Sequence, residues 1–146
     1  MVINKDFREF IECLNKHKAE YLVVGGYAVA FHGHPRYTKN LDIWIRVSAE
    51  NADKLLKAIN DFGFSSLGLT KNDFETPELI IQLGNPPNRI DIITTASGIK
   101  FEDSYPHRIV ENIEGLEVNF IDIENLKINK KATGRHQDLA DIENLE

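Results

Sequence analysis

Three short pieces of the chain hold residue types that could do chemistry together. The first is Gly25-Gly26, between the apolar run Tyr21-Leu22-Val23-Val24 and the start of a short helix. Glycine there lets a ligand approach the backbone, and free N–H groups at a helix start favour phosphate. The second is Asp42 within Asn40-Leu41-Asp42-Ile43, and the third is Asp91 within Arg89-Ile90-Asp91-Ile92-Ile93. Each has a plainer reading. Gly-Gly can be only a turn, and Asp42 can be a solvated carboxylate on a strand's polar face. Asp91 sits among apolar neighbours, where a carboxylate is costly unless it pairs with Arg36 or Arg89, or binds metal. Taken together, carboxylates from neighbouring strands beside a glycine turn are what a magnesium–nucleotide site requires. Magnesium prefers hard oxygen ligands and takes further ones from substrate phosphates. Two such ions can activate an attacking hydroxyl and stabilise departing pyrophosphate.

These residues need strands and helices to hold them. Phe7, Phe10, Ile11 and Leu14 recur at helical spacing, which predicts an amphipathic helix over about 5–17. Residues 21–24 read as a buried strand, and Tyr27–Phe31 as a short helix before Gly33 and Pro35 break it. From residue 40 the pattern alternates. Leu41, Ile43, Ile45 and Val47 take one face, and Asn40, Asp42, Trp44 and Arg46 the other. Ser48 is a candidate N-cap for a helix with a buried stripe of Ala52, Leu55, Leu56 and Ile59, closed by Gly63. Ser65–Asp73 reads as a strand followed by a loop. Glu78–Leu83 and Arg89–Thr94 read as strands joined through 84–88, and His107–Ile113 with Leu116–Ile121 as a pair around Glu114-Gly115. Asp122 can cap one short helix, and Arg135–Leu145 forms another with Leu139, Ile142 and Leu145 inward. The order predicts a mixed α/β layered domain spanning 1–146 as one unit.

Composition narrows the setting. Hydrophobic residues make up 42% and charged residues 27% of 146, an ordinary globular balance. No apolar run approaches the ~20 residues of a membrane span, and the N-terminus lacks the apolar stretch of a secretory signal. Cys13 is the single cysteine, so no internal disulfide forms and a cytoplasmic location is expected. It reads as core filler rather than a nucleophile. A net charge of −6 argues against broad adhesion to nucleic acid but leaves room for a local basic pocket.

The run Val23-Val24-Gly25-Gly26, followed later by Asn40-Leu41-Asp42-Ile43, resembles the signature of the polymerase-β-like nucleotidyltransferase superfamily. Asp91 looks like that signature's third carboxylate, on a later strand. The stretch Gly25–Thr38 and the C-terminal run Lys131–Ile142 are similar to a small bacterial branch related to abortive-infection, toxin–antitoxin nucleotidyltransferases. The resemblance implies a short mixed central sheet with flanking helices and a C-terminal helical segment. It implies Asp42, Asp91 and position 40 as catalytic metal ligands for Mg2+ or Mn2+. It further implies a nucleoside triphosphate as substrate, with a tRNA, a protein or a small molecule as acceptor, and a cognate toxin or antitoxin as partner. One position departs from the pattern. Asn40 stands where the family has a carboxylate; residues 40 and 42 share a face about 7 Å apart, and the amide keeps one oxygen but loses a charge. Slower chemistry than a three-carboxylate enzyme is expected, and a domain that binds nucleotide or partner without turnover is the alternative. A purely structural domain would need Asp42 and Asp91 to point apart.

Arg36, Thr38 and Lys39 precede the second strand, where cations and a hydroxyl could hold β- and γ-phosphates, or simply face water. Lys130, Lys131 and Arg135 form a basic cluster that faces either a nucleotide, an acidic acceptor or solvent. Arg135, Asp138 and Asp141 are read as an ion-pair face that locks the last helix to the core. His32 and His34 flank Gly33 without a Cys or further His nearby, which speaks against zinc.

Overall fold

A computed structural model describes residues 3–33, 40–85 and 88–145. Helix α1 (Lys5–Lys16) starts at Asn4, whose side chain accepts from the Phe7 N–H, and buries Phe7, Phe10, Ile11 and Leu14. Strand β1 (Tyr21–Val24) runs directly into α2 (Gly25–Phe31), so that helix begins at the glycines rather than at Tyr27. Strand β2 (Asn40–Ile45) leads to α3 (Ala49–Phe62), capped by Ser48 and stopped at Gly63 in the left-handed region. A 3-10 turn (Ser65–Leu67) and α4 (Lys71–Glu75) follow. Then come β3 (Ile80–Leu83), β4 (Arg89–Ile93), α5 (Phe101–Ser104) and a second 3-10 turn (Tyr105–His107). Strands β5 (Ile109–Ile113) and β6 (Leu116–Phe120), and helices α6 (Ile123–Thr133) and α7 (His136–Leu145), complete the order.

The six strands form one mixed sheet in the order β3-β4-β2-β1-β6-β5. The two carboxylate-bearing strands, β2 and β4, are parallel neighbours, and β1 runs antiparallel to β2 on its other side. The mixed α/β architecture expected from the pattern is present. The buried hydrophobic residues join in one cluster, with Leu41, Ile43 and Ile45 at most 1% exposed.

Four local expectations are corrected. Residues 65–73 form a 3-10 turn and the start of α4 instead of a strand, because Thr70 and Asp73 make a reciprocal capping box that starts a helix. Val47 does not share the buried face of β2; the strand ends at Ile45, and Val47 is 37% exposed. Trp44, assigned to the polar face, is 2% exposed. Its ring packs edge-to-face on Phe101 of α5, with centroids 5.2 Å apart. In α7, Leu139 points outward at 48% exposure, while Asp138 and Asp141 are fully buried. Lys130 of α6 supplies the reason: its ammonium lies 3.1 Å from a carboxylate oxygen of each.

Candidate active site

The parallel register places Asp42 opposite Asp91 and Asn40 opposite Arg89. Side chains alternate along a strand, so these four residues share one face at the middle of the sheet. Across the antiparallel pair, Val24 stands opposite Asp42, and the next residue is Gly25. Gly25 has φ +66°, and a Cβ atom there would lie 2.1 Å from Asp42 Oδ2. The glycine therefore does two things: it adopts a left-handed turn into α2, and it leaves room for the Asp42 carboxylate against the backbone.

The two carboxylates have different surroundings. Asp91 receives a fork of hydrogen bonds from Arg89, Nε to Oδ1 at 2.8 Å and Nη2 to Oδ2 at 3.1 Å. The Asn40 amide donates to Asp91 Oδ2 at the long distance of 3.5 Å. Burial pushes the Asp42 carboxyl up, and the negative charge of Asp91 pushes it further. Lys130, Arg89 and Arg135 oppose this only in part, so Asp42 titrates at about 6. A carboxylate raised by burial and by a like charge, beside a glycine turn, is an arrangement that an added cation would relieve.

That observation bears on whether the residues fit a divalent ion. Two carboxylates on one face supply the hard oxygen donors that Mg2+ or Mn2+ takes, with substrate phosphates completing the set. They fit one ion. Among the described residues, no group of three or more His, Cys, Asp or Glu side chains converges as a metal site. Asn40 could add a neutral oxygen.

Lys130 joins the site from α6. It is buried at 4% exposure between Asp138 and Asp141, and its charge lowers the Asp42 carboxyl. Asp138 also accepts from Thr133 Oγ1 at 2.7 Å and from Arg135 Nε at 2.7 Å. Burial alone would raise the Asp138 carboxyl, but the bonds from Arg135, Thr133 and Lys130 outweigh it and hold it far below the usual range. The ion-pair reading of α7 thus describes these contacts, whereas Lys130 is neither solvated nor in contact with open space. The Arg135 side chain is 76% exposed. A buried lysine here was hidden in the sequence because its partners lie in the next helix.

Other residues fall elsewhere. Gly26 is buried inside α2. His32 Nε2 lies 2.7 Å from the Ile121 carbonyl oxygen, which occupies it structurally. Burial raises the Cys13 thiol, with the charge of Asp61 adding to it, which disfavours the thiolate a nucleophile needs. His34, Arg36, Thr38 and Lys39 lie outside the described residues.

Comparison with known proteins agrees with this geometry at the level of fold and family. A crystal structure of an antigenic nucleotidyltransferase-like protein from Paracoccidioides brasiliensis superposes with a TM-score of 0.57 at 16% identity, covering 98% of this chain and 77% of that one. A candidate nucleotidyltransferase from Thermotoga maritima superposes with a TM-score of 0.58 at 12% identity, covering 95% and 87%. At such identities the likeness shows the shared nucleotidyltransferase fold. No curated protein matches the sequence. A family model described as "Nucleotidyltransferase of unknown function (DUF6036)" matches residues 4–146, nearly the whole length, and the chain belongs to that nucleotidyltransferase family.

Proposed function

We propose that this domain, acting as one unit over 1–146 in the cytoplasm, transfers a nucleotidyl group from a nucleoside triphosphate to an acceptor hydroxyl. The observation that carries the reading is the pairing of Asp42 with Asp91 across β2 and β4, next to Gly25. Asp42 and Asp91 would hold one Mg2+ or Mn2+, with Asn40 as a weak third ligand. Such an ion supplies charge neutralisation for a triphosphate and for departing pyrophosphate. The chain's own contribution is positional. Gly25 and Gly26 would let the nucleotide approach the start of α2, Asp42 would serve as a ligand in its ionised form, and Lys130 would add positive charge felt at Asp42. Arg36, Thr38 and Lys39, by their place before β2, would contact the phosphates. The resemblance to abortive-infection enzymes supports a tRNA end or a protein as acceptor, with a small molecule as the other chemical choice, and a cognate toxin or antitoxin partner.

One observation favours a second reading. Arg89 already grips both oxygens of Asp91, and Asn40 brings no charge, so the site is electrostatically poorer than a three-carboxylate site. On that reading the domain binds nucleotide or partner without turnover. Calorimetry with each triphosphate, with and without magnesium, measures binding, and transfer of radiolabel from α-labelled triphosphate to RNA or protein measures turnover. Magnesium-dependent binding together with transfer supports the enzyme, and binding alone supports the second reading. No binding of any triphosphate overturns both.

A further inference from the structure

A cavity of about 390 Å3 opens beyond the C-terminal ends of β2 and β4, lined by Trp44 to Ser48 from one side and by Thr94 to Ala96 and Ile99 to Glu102 from the other. None of Asn40, Asp42, Arg89 and Asp91 is among the residues that line this space. Its walls combine an apolar floor with hydrogen-bond donors. Ile45, Ala96, Ile99 and Phe101 provide the apolar part.

The donors are unusual in being uncommitted. Three buried polar atoms have no hydrogen-bond partner among the described residues: Trp44 Nε1, Ser104 Oγ and Arg108 Nε. Only Trp44 lines the cavity. An indole N–H in a residue 2% exposed normally finds an acceptor. The Ser48 hydroxyl oxygen accepts from the Asn51 N–H, and Thr95 Oγ1 accepts from the Glu78 N–H, which leaves both O–H groups to donate. Lys100 is exposed and makes no ion pair among the described residues. Arg46, paired with Glu20 and set 5.0 Å over the Phe101 ring, adds positive charge. Glu102 is the single carboxylate in the lining, and it is exposed.

We propose that this cavity is a second binding site, for a small organic oxyanion with an apolar body. The anion would accept from the Ser48 and Thr95 hydroxyls and meet Lys100, beside the Trp44 ring, while its apolar part lies against Phe101 and Ile99. Volume and lining agree with a pocket for a compact ligand.

Trp44 is the single tryptophan, so its indole N–H gives one resonance that reports directly on this wall. The full chain, labelled with 15N, is titrated with benzoate, with phenyl phosphate and with neutral benzyl alcohol. A saturable movement of the indole resonance with benzoate or phenyl phosphate, and little with benzyl alcohol, is expected; the stronger of the two identifies the oxyanion. Lys100→Ala alters an exposed side chain and should weaken binding about tenfold. Thr95→Val, which also removes the acceptor of the Glu78 N–H, should weaken it as much while the folded spectrum is kept. The proposal is overturned if neither anion moves the resonance, as for a cavity that holds water only. Equal binding of benzyl alcohol, or unchanged affinity in Lys100→Ala, overturns it as well.

Discussion

A Cβ atom on Gly25 would stand 2.1 Å from Asp42 Oδ2, so the glycine and the carboxylate occupy one another's space. The relationship ties the turn that opens α2 to the side chain proposed to hold the cation. Gly25→Ala meets two obstacles at once, a left-handed φ of +66° and a collision with a carboxylate in a strand. The variant should lose about 1–3 kcal/mol of stability. It should also displace Asp42, so magnesium-dependent triphosphate binding measured by calorimetry falls at least tenfold at temperatures where the variant is folded. Unchanged binding in a folded Gly25→Ala protein would separate the turn from the cation site.

The raised Asp42 carboxyl makes a prediction with a definite sign. In the metal-free folded chain Asp42 titrates at about 6, above its ordinary value of 3.8. The stability it contributes is therefore full below about pH 4 and is lost as pH rises through about 6. Asp42→Asn removes that loss. Chelator-treated Asp42→Asn should be more stable than the parent at neutral pH, by on the order of 2 kcal/mol, with the gap closing at pH 4. A divalent ion binds the ionised form, so Mn2+ affinity of the parent should climb as pH increases from 5 to 7. Urea denaturation across this range measures the first effect, and Mn2+ relaxation the second. A stability gap that is the same at every pH would refute the proposed titration.

Much of this site was legible because it lies on strands with strict alternation. Leu41, Ile43 and Ile45 against Asn40 and Asp42 left one apolar face for the core and one polar face, and β2 follows that division as far as Asp42. Asp91 was legible for a related reason: a lone carboxylate among isoleucines needs a partner, and Arg89, one of the two arginines considered, provides it. Trp44 escaped the pattern because its cover is α5, a four-residue helix too short to show periodicity. The inward face of α7 escaped for a different reason. Asp138 and Asp141 read as polar, and only a lysine held in another helix makes their burial affordable. Long-range pairing of this kind leaves no local signal.

Asn40 lies beside Asp91 at 3.5 Å and stands opposite Arg89 in the register. Asn40→Asp would exchange a neutral amide for a third carboxylate without a change of shape. In the enzyme reading the variant should bind Mg2+ more tightly and transfer nucleotide at least tenfold faster, because the added charge acts on the cation. It should also destabilise the metal-free protein, by about 1 kcal/mol or more, since three like charges then crowd one face. Transfer assays and thermal unfolding with and without Mg2+ measure both. A variant with tighter cation binding and no turnover would favour the binding-module reading.

The Lys130–Asp138–Asp141 cluster sets the attachment of α7 to the rest of the fold. Lys130 is 3.1 Å from both carboxylates, and the side chains of all three are at most 5% exposed. Asp138 accepts from Lys130, Thr133 and Arg135 at once, so Asp138→Ala, which loses all three bonds in a buried place, should cost about 3 kcal/mol, whereas the exposed Lys131→Ala should cost almost nothing. The pH dependence runs opposite to that of Asp42. Asp138 is held far below the usual carboxylate range, so its contribution is present above the ordinary carboxylate value and is lost only as pH falls toward its own folded value. The Asp138→Ala penalty should therefore persist from neutral pH down to about pH 4 and shrink in stronger acid. Because Lys130 also lowers the Asp42 carboxyl, Lys130→Met should raise the pH at which Asp42 ionises, read by the carboxyl 13C shift. If that shift does not move while α7 stays docked, Lys130 acts on the helix alone and not on the site.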